Sequence, residues 1–599
     1  MKERKYIIQF FVILIGLVYI IRLLNIQIFD DTYAKKAEDN IISREIQYPY
    51  RGVIYDRNKK LLVFNQPEYD IQVIPREAVN IDKEKFCSVF GISEKEYDKK
   101  MDEARHYSRN KPSIFIKQLS NEDLAKAQDN MVFFSGFQVK ARSGRAYKYN
   151  VLANALGYVS EISKSNLERD TTNYYRQGDY VGQSGIEAYY EEYLRGKRGV
   201  AYKTRNVKGE FKGIFNDGLY DTLSIPGQDL YTSIDLDLQQ YSEFLLQNKT
   251  GSIIAIEPST GEILSFVSGP SYDPGKLTGR DFGANFVNIA KDSLKPLFNR
   301  PLMAQYRPGS IFKIIQAMVG LQEGTITPET RITCNRSIIG CHGAHSYEDL
   351  EGAIQHSCNP YFYNAMRRTV LQNKSNDIYE DTRLGLEVWS EHVATFGLGS
   401  PLGIDLPNEK SGLVPSVSYY DRAYHGEAWK FSNIYSIAIG EGENLVVPLQ
   451  MANFASIIAN RGYYITPHIV KGIGENGSPL PQYIEKHYTS INSEYFDVAV
   501  DAMEKVVAAG TGIRAKIPGI EVCGKTGTVQ NRDYPDHSVF IAFAPKDNPQ
   551  IAVSVYVEKS GQGGRAAAGI AGLLIEKYLT GEIKRKNIED YVLKGHFIY

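Results

Sequence analysis

Tyr306-Arg307-Pro308-Gly309-Ser310-Ile311-Phe312-Lys313-Ile314-Ile315 is the stretch on which the reading of this 599-residue chain turns. Pro308-Gly309 is a break signal, and the apolar periodicity behind it predicts a helix that Ser310 opens. A spacing of three puts Ser310 and Lys313 on one helical face. The pairing has a chemical meaning. A serine hydroxyl attacks a carbonyl only when a base takes its proton, and lysine is such a base when burial or a nearby cation lowers its pKa. Alone, the pattern has an ordinary alternative, an N-cap serine beside a solvated lysine.

Two downstream segments decide between these readings. Ser357-Cys358-Asn359, inside His356-Ser357-Cys358-Asn359-Pro360-Tyr361-Phe362, offers a hydroxyl and an amide suited to relaying a proton and holding a substrate amide. Lys525-Thr526-Gly527-Thr528 follows Gly519-Ile520-Glu521-Val522-Cys523-Gly524 and is predicted on a strand, where Gly527 lets a ligand backbone approach closely. In this order, Ser-x-x-Lys, Ser-x-Asn and Lys-Thr-Gly are the set of penicillin-binding proteins and class A β-lactamases. Cys358 stands where that set has Asp, a variable position in the family. Over nearly its whole length the sequence resembles class B penicillin-binding proteins. Supporting matches are Arg51-Gly52-Val53-Ile54-Tyr55-Asp56-Arg57-Asn58, Gly185-Ile186-Glu187-Ala188-Tyr189-Tyr190-Glu191, Ile439-Gly440-Glu441-Gly442 and Asp536-His537-Ser538.

The resemblance implies a D,D-transpeptidase that cross-links peptidoglycan stem peptides on nascent glycan strands, with β-lactams as inhibitors and carboxypeptidase side activity. Ser310 would attack the D-Ala-D-Ala carbonyl, Lys313 would act as base, and Ser357 would pass a proton to the departing D-Ala, with Asn359 beside it. Lys525 would face the terminal carboxylate. Thr526, Gly527 and Thr528 would contact substrate, and the N–H groups of Ser310 and Thr528 would form the oxyanion hole, each donor contributing on the order of 3 kcal/mol. A SEDS-family glycan polymerase in the membrane is the implied partner. A division-type enzyme and a non-enzymatic β-lactam sensor share the same motifs; sensors usually add further spans or cytoplasmic output modules.

Gly519 to Thr526 also satisfies Gly-x-x-x-x-Gly-Lys-Thr, the phosphate-binding loop. That reading requires a helix after the lysine, whereas Gly527 to Pro535 is turn-rich, so no nucleotide is expected. Cys334, Cys341, His342, His345, His356 and Cys358 crowd one window, and Cys334, Cys341, His345 and Cys358 make a Cys₃His set suited to structural zinc. Elongation-type penicillin-binding protein 2 members are similar in carrying zinc beside this loop, which favours the rod-elongation subtype. A Cys334 to Cys341 disulfide and ordinary buried thiols are the alternatives. The chain has five cysteines, too few for a disulfide scaffold.

With 69 basic against 70 acidic side chains there is no electrostatic footprint for nucleic acid. Lys2, Arg4 and Lys5 precede an uncharged run from Tyr6 to Ile21, then Arg22, Leu23 and Leu24: a single membrane helix, basic end in the cytoplasm, the remainder on the periplasmic side of the inner membrane. A signal peptide is the competing reading, but no small-x-small cleavage site follows. The expected layout is a cytoplasmic tail at 1–5, an anchor at 6–26, an N-terminal pedestal at 27–225, a transpeptidase domain at 226–582 and a tail at 583–599. In the transpeptidase domain, Ser252 to Ile256 and Ile263 to Val267 predict a hairpin. Ser538 to Ala544 and Gln550 to Val557 predict two more strands, and Arg565 to Tyr578 an amphipathic helix. The fold class is α+β, a β-lactamase/transpeptidase-like antiparallel sheet flanked by helices on an extended, mostly-β pedestal.

Overall fold

The computed structural model describes residues 2–25, 42–205, 211–342, 345–474, 477, 479–531, 533–595 and 597. Helix α1 (Lys2–Leu24) contains Tyr6–Leu24, with a mean hydropathy of 2.6 and nothing buried. It is long and apolar enough to cross a membrane. The predicted pedestal begins in residues outside the described ones.

The chain divides into two compact units: residues 1–52, 67–143 and 195–227 form the first, and 53–66, 144–194 and 228–599 the second. The segment 144–194, with its Gly185-Ile186-Glu187 stretch, therefore packs with the second unit. In the first unit, strands Ile42–Gln47, Gly199–Arg205 and Phe211–Ile214 form an antiparallel sheet. Three helices accompany it, Lys83–Phe90, Glu94–Tyr107 and Asn121–Asn130, each started by a side-chain cap: Asp82, Ser93 and Ser120. They enclose an aromatic core in which fully buried Phe86 meets Tyr97, Phe115, Phe134 and Phe137 at centroid distances of 5.3, 5.5, 4.9 and 4.6 Å.

The second unit is built on strands β1 (Gly251–Ile256), β2 (Ile263–Gly269), β3 (Cys523–Val529), β4 (His537–Ala544) and β5 (Ile551–Val557), in the order β2-β1-β5-β4-β3, antiparallel throughout. Both faces are covered, which is why β1, β2, β4 and β5 read as largely apolar runs, whereas β3 carries Lys525, Thr526 and Thr528. Alternation sorts their residues between two cores: Phe540, Ala542, Val553 and Val555 join the layer under α2 (Leu236–Leu246) and α8 (Ala567–Thr580). Val539, Ile541, Phe543 and Ala552 join the larger layer under α3 (Lys313–Gln322), α4 (Leu350–Gln355), α5 (Asn359–Val370), α6 (Pro448–Ala459) and α7 (Ser493–Ala509). Residues 583–599, read as a tail, include a helix, Lys586–Lys594; its Ile588, Tyr591 and Val592 at helical spacing pack into the first of these layers, and Tyr241 donates to Glu589 at 2.8 Å.

Candidate active site

Helix α3 carries the site because it is apolar all round and buried to match: Ile314, Ile315, Ala317, Met318 and Val319 are all inaccessible. Its one central polar side chain is satisfied, Gln316 accepting from the Trp389 indole at 2.8 Å and donating to the Ile437 carbonyl at 3.2 Å. Pro308-Gly309 precedes it in a tight arrangement. Gly309 has φ +57, and a Cβ there would stand 2.7 Å from the Thr528 carbonyl oxygen. Ser310 lies in the single 3₁₀ turn Gly309–Phe312 that leads into the α-helix, half-buried, one turn ahead of the buried Lys313.

The Lys313 ammonium reaches away from its own turn to the loop that opens α5. Its Nζ donates to the Ser357 carbonyl at 2.7 Å, the Ser357 hydroxyl at 3.1 Å and Asn359 Oδ1 at 2.6 Å. Ser357 is held at φ +58, unusual for a serine and typical of strain stored at a working site, and this turns its hydroxyl toward both lysines. From the other side Lys525 Nζ donates to the same hydroxyl at 3.1 Å and to the Thr526 carbonyl at 3.1 Å. The sheet's alternation explains the approach: Lys525, Cys523 and Val529 share the face of β3 that meets the α3 layer, while Thr526 and Thr528 point away. Thr526 Oγ1 lies 2.7 Å from Thr511 Oγ1, and Thr528 Oγ1 accepts from the Gly563 N–H at 3.1 Å. Gly527 is where β3 grazes the turn that carries Ser310, since a Cβ would meet Pro308 O and Ile311 Cγ1 at 3.1 Å.

Electrostatics follow from burial. Desolvation pushes the Lys313 amine down to about 8, against an opposing pull from the Cys341 and Cys358 thiols. Lys525 is pushed well below the ordinary lysine range by desolvation, then by the charge of Lys313. Two amines sharing one hydroxyl acceptor resist simultaneous protonation, and each lowers the tendency of the other to carry charge.

The cysteine window adjoins this cluster. Cys334, Cys341, His345 and Cys358 have ligand atoms within 4.8 Å of one another. All five cysteines are free thiols. Cys341 Sγ lies 3.5 Å from His345 Nε2 and accepts from the Asn359 N–H at 3.4 Å, while Asn359 Nδ2 donates to Gly340 O at 2.6 Å. A hydrogen bond from the Cys358 thiol brings Cys341 down to about 4, with Cys358 raised in return. His356 joins a second close group with His345 and Glu348, stacking on the His345 ring at 5.6 Å with its Nδ1 3.0 Å from Glu348 Oε1. The Gly-x-x-x-x-Gly-Lys-Thr stretch ends in strand β3, so its lysine does not stand before a helix N-terminus.

The structure brings Lys313, Ser357, Asn359 and Lys525 into one hydrogen-bonded group and sets Thr526, Gly527 and Thr528 along the terminal strand of the sheet. Thr511 was not singled out in the sequence; the Gly510-Thr511-Gly512 break after α7 is the local signal for it.

Two family models match the chain, the penicillin binding protein transpeptidase domain over residues 251–576 and the penicillin-binding protein dimerisation domain over 46–232. The peptidoglycan D,D-transpeptidase MrdA of Haemophilus influenzae is 28% identical, covering 94% of this chain and 88% of its own. Among solved structures, penicillin-binding protein 2 of Helicobacter pylori in its complex with MreC superposes with a TM-score of 0.72 at 24% identity, covering 91% of this chain and 100% of its own. A chain from a peptidoglycan synthase complex, described as coordinating polymerization and crosslinking, gives 0.70 at 24% identity, covering 97% of this chain and 99% of its own.

Proposed function

This chain belongs to the penicillin-binding protein transpeptidase family, and on that premise we propose that Ser310 is the nucleophile through which it cross-links peptidoglycan stem peptides during cell-wall elongation. It is a serine-type D,D-transpeptidase. The observation that carries the assignment of roles is the Lys313–Ser357–Lys525 relay, in which one hydroxyl touches both amines at 3.1 Å. Neutral Lys313 takes the Ser310 proton as Oγ bonds to the carbonyl carbon of the penultimate D-Ala. The oxyanion forms against the Ser310 and Thr528 N–H groups. The peptide C–N bond then breaks, and a proton returned through Ser357 leaves with the terminal D-Ala. An amine of a second stem peptide attacks the ester, gives its proton to the same relay and frees Ser310. Strand β3 ends the sheet, so an extended donor peptide can lie along it as an added strand, its terminal carboxylate drawn by Lys525 and Thr526.

Helix α1, with Lys2, Arg4 and Lys5 at its start, supports a single membrane anchor with the enzyme on the periplasmic side. The likeness to a chain of a polymerizing and crosslinking complex supports a SEDS-family glycan polymerase as partner. Three thiols and an imidazole within 4.8 Å are a fitting donor set for zinc, with Cys334, Cys341, His345 and Cys358 as ligands. A closed four-ligand zinc supplies no chemistry; it would fix Cys358 between Ser357 and Asn359.

Covalent labelling of the full-length protein by a fluorescent penicillin tests the nucleophile. Wild type should label and Ser310→Ala should not; equal labelling of the two ends the assignment. Elemental analysis should return one zinc per chain, and Cys341→Ser should release it with slower acylation, whereas a metal-free wild type of full activity removes zinc from the account.

A further inference from the structure

The segment after Ile439 runs beside the nucleophile turn. The Gly309 N–H donates to Gly440 O at 2.9 Å, and Gly440, at φ +77, comes so close that a Cβ would stand 2.0 Å from Gly309 O. Tyr306 and Val446 exchange both backbone hydrogen bonds, at 2.9 and 2.7 Å. Between these contacts sits Glu441. Arg307 Nε donates to Gly442 O at 3.0 Å and lies 3.8 Å from Glu441 Oε2, while Glu441 Oε1 accepts from the Gln530 N–H at 3.4 Å. The carboxylate side chain is only 15% exposed, against 46% for Arg307.

What the two partners flank gives this contact its meaning. Arg307 stands three residues before Ser310, and Gln530 two residues after Thr528. In the acyl-transfer reading above, Ser310 and Thr528 supply the two oxyanion N–H groups, and they sit on separate segments whose spacing no covalent link sets. We propose that Glu441 is a positioning residue for acyl transfer, its carboxylate clasping the nucleophile loop to the end of β3 and so fixing the separation of the two oxyanion donors. This rests on the transpeptidase reading above.

Burial also pushes the Glu441 carboxyl up to about 7, with the Gln530 N–H and Arg307 acting to lower it and Asp536 to raise it; Tyr556 faces it from β5. A group serving only to fill space there would be better replaced by an apolar or amide side chain, because a buried carboxylate carries a desolvation cost. The ionised form attracts the Arg307 guanidinium across 3.8 Å and accepts from the Gln530 N–H as a charged group, and a 1 Å misplacement of reacting groups costs about 10²-fold in rate.

The test is stopped-flow acylation of the full-length enzyme by a fluorescent penicillin, separating the acylation rate constant from the pre-acylation binding constant, alongside thermal unfolding. Glu441→Gln keeps an acceptor for Gln530 but loses the charge, and Arg307→Ala removes a half-exposed partner, so both are expected to fold. Each should lower the acylation rate constant by roughly 10-fold, with binding changed less than about 3-fold and the unfolding temperature little altered. The double variant should be no slower than the slower single one, as expected for one shared contact. Acylation within about 2-fold of wild type in both single variants, or multiplicative losses in the double, would overturn the clasp. Ser310→Ala runs in parallel: if wild type itself fails to label, the transpeptidase reading falls, whereas normal labelling by the clasp variants sinks only the clasp.

Discussion

Lys313 shows how one residue is set against stability to serve chemistry. As an ammonium it has three N–H donors and three acceptors, Ser357 O, Ser357 Oγ and Asn359 Oδ1. As a neutral amine it has a lone pair for the Ser310 proton. Since burial brings it down to about 8, acylation should rise as pH climbs through about 8, measured as the second-order rate of penicillin labelling between pH 6 and 9.5. The stability effect has a matching sign. The unfolded lysine keeps its proton above the folded value, so the contribution of Lys313 to stability improves as pH rises from about 8 toward the ordinary lysine range. Lys313→Met should therefore abolish labelling without lowering the unfolding temperature at pH 7, and a clear drop in that temperature would count against this balance. At this scale the sequence was readable where chemistry is local. Ser310 and Lys313 share a helical face by spacing, and the downstream Ser357, Asn359 and Lys525 in order make that pair meaningful. The strain that turns Ser357 toward both lysines, Thr511 behind Thr526, and Glu441 between two distant segments depend on which loops meet, which no window of sequence contains.

At the level of elements, four of the five sheet strands and the helix Ala567–Thr580 were the most legible part. Ser252 to Ile256, Ile263 to Val267, Ser538 to Ala544 and Gln550 to Val557 lie within a residue or two of the observed strands, because a sheet covered on both faces leaves an unbroken apolar run between turn residues. The pedestal helices were less so: Lys83–Phe90 and Asn121–Asn130 are short and largely polar, and their stability comes from packing around Phe86. The meeting of β3 with the nucleophile turn is an element-level contact governed by two glycines. Gly309→Ala would combine a left-handed backbone with a Cβ 2.7 Å from Thr528 O, forcing strand and turn apart. Acylation should fall by about 10²-fold while far-UV circular dichroism stays unchanged, and near-wild-type acylation would show that the gap tolerates the methyl group.

Over the whole molecule, the apolar N-terminal helix and the transpeptidase unit place separate demands on the chain. None of the Tyr6–Leu24 window is buried by the rest of the protein. Deleting residues 1–25 should therefore release the protein from the membrane fraction while Ser310 still labels and the unfolding temperature shifts by no more than about 2 °C, measured by fractionation and scanning fluorimetry. Loss of labelling in a soluble, folded truncation would show that the helix does more than tether.

Strand β1 pairs with β5, joining Gly251 to Val557 across most of the catalytic unit's sequence. Such closure is slow, because the intervening chain has to be gathered before the pairing is rewarded. It also sets an order of assembly during synthesis. The hairpin, Ser310 and the Ser357 loop emerge first, and Lys525 arrives only with the strands that complete the sheet. A polypeptide released before residue 525 is added thus holds its serine without the second amine, and remains chemically silent until synthesis has delivered nearly all of it.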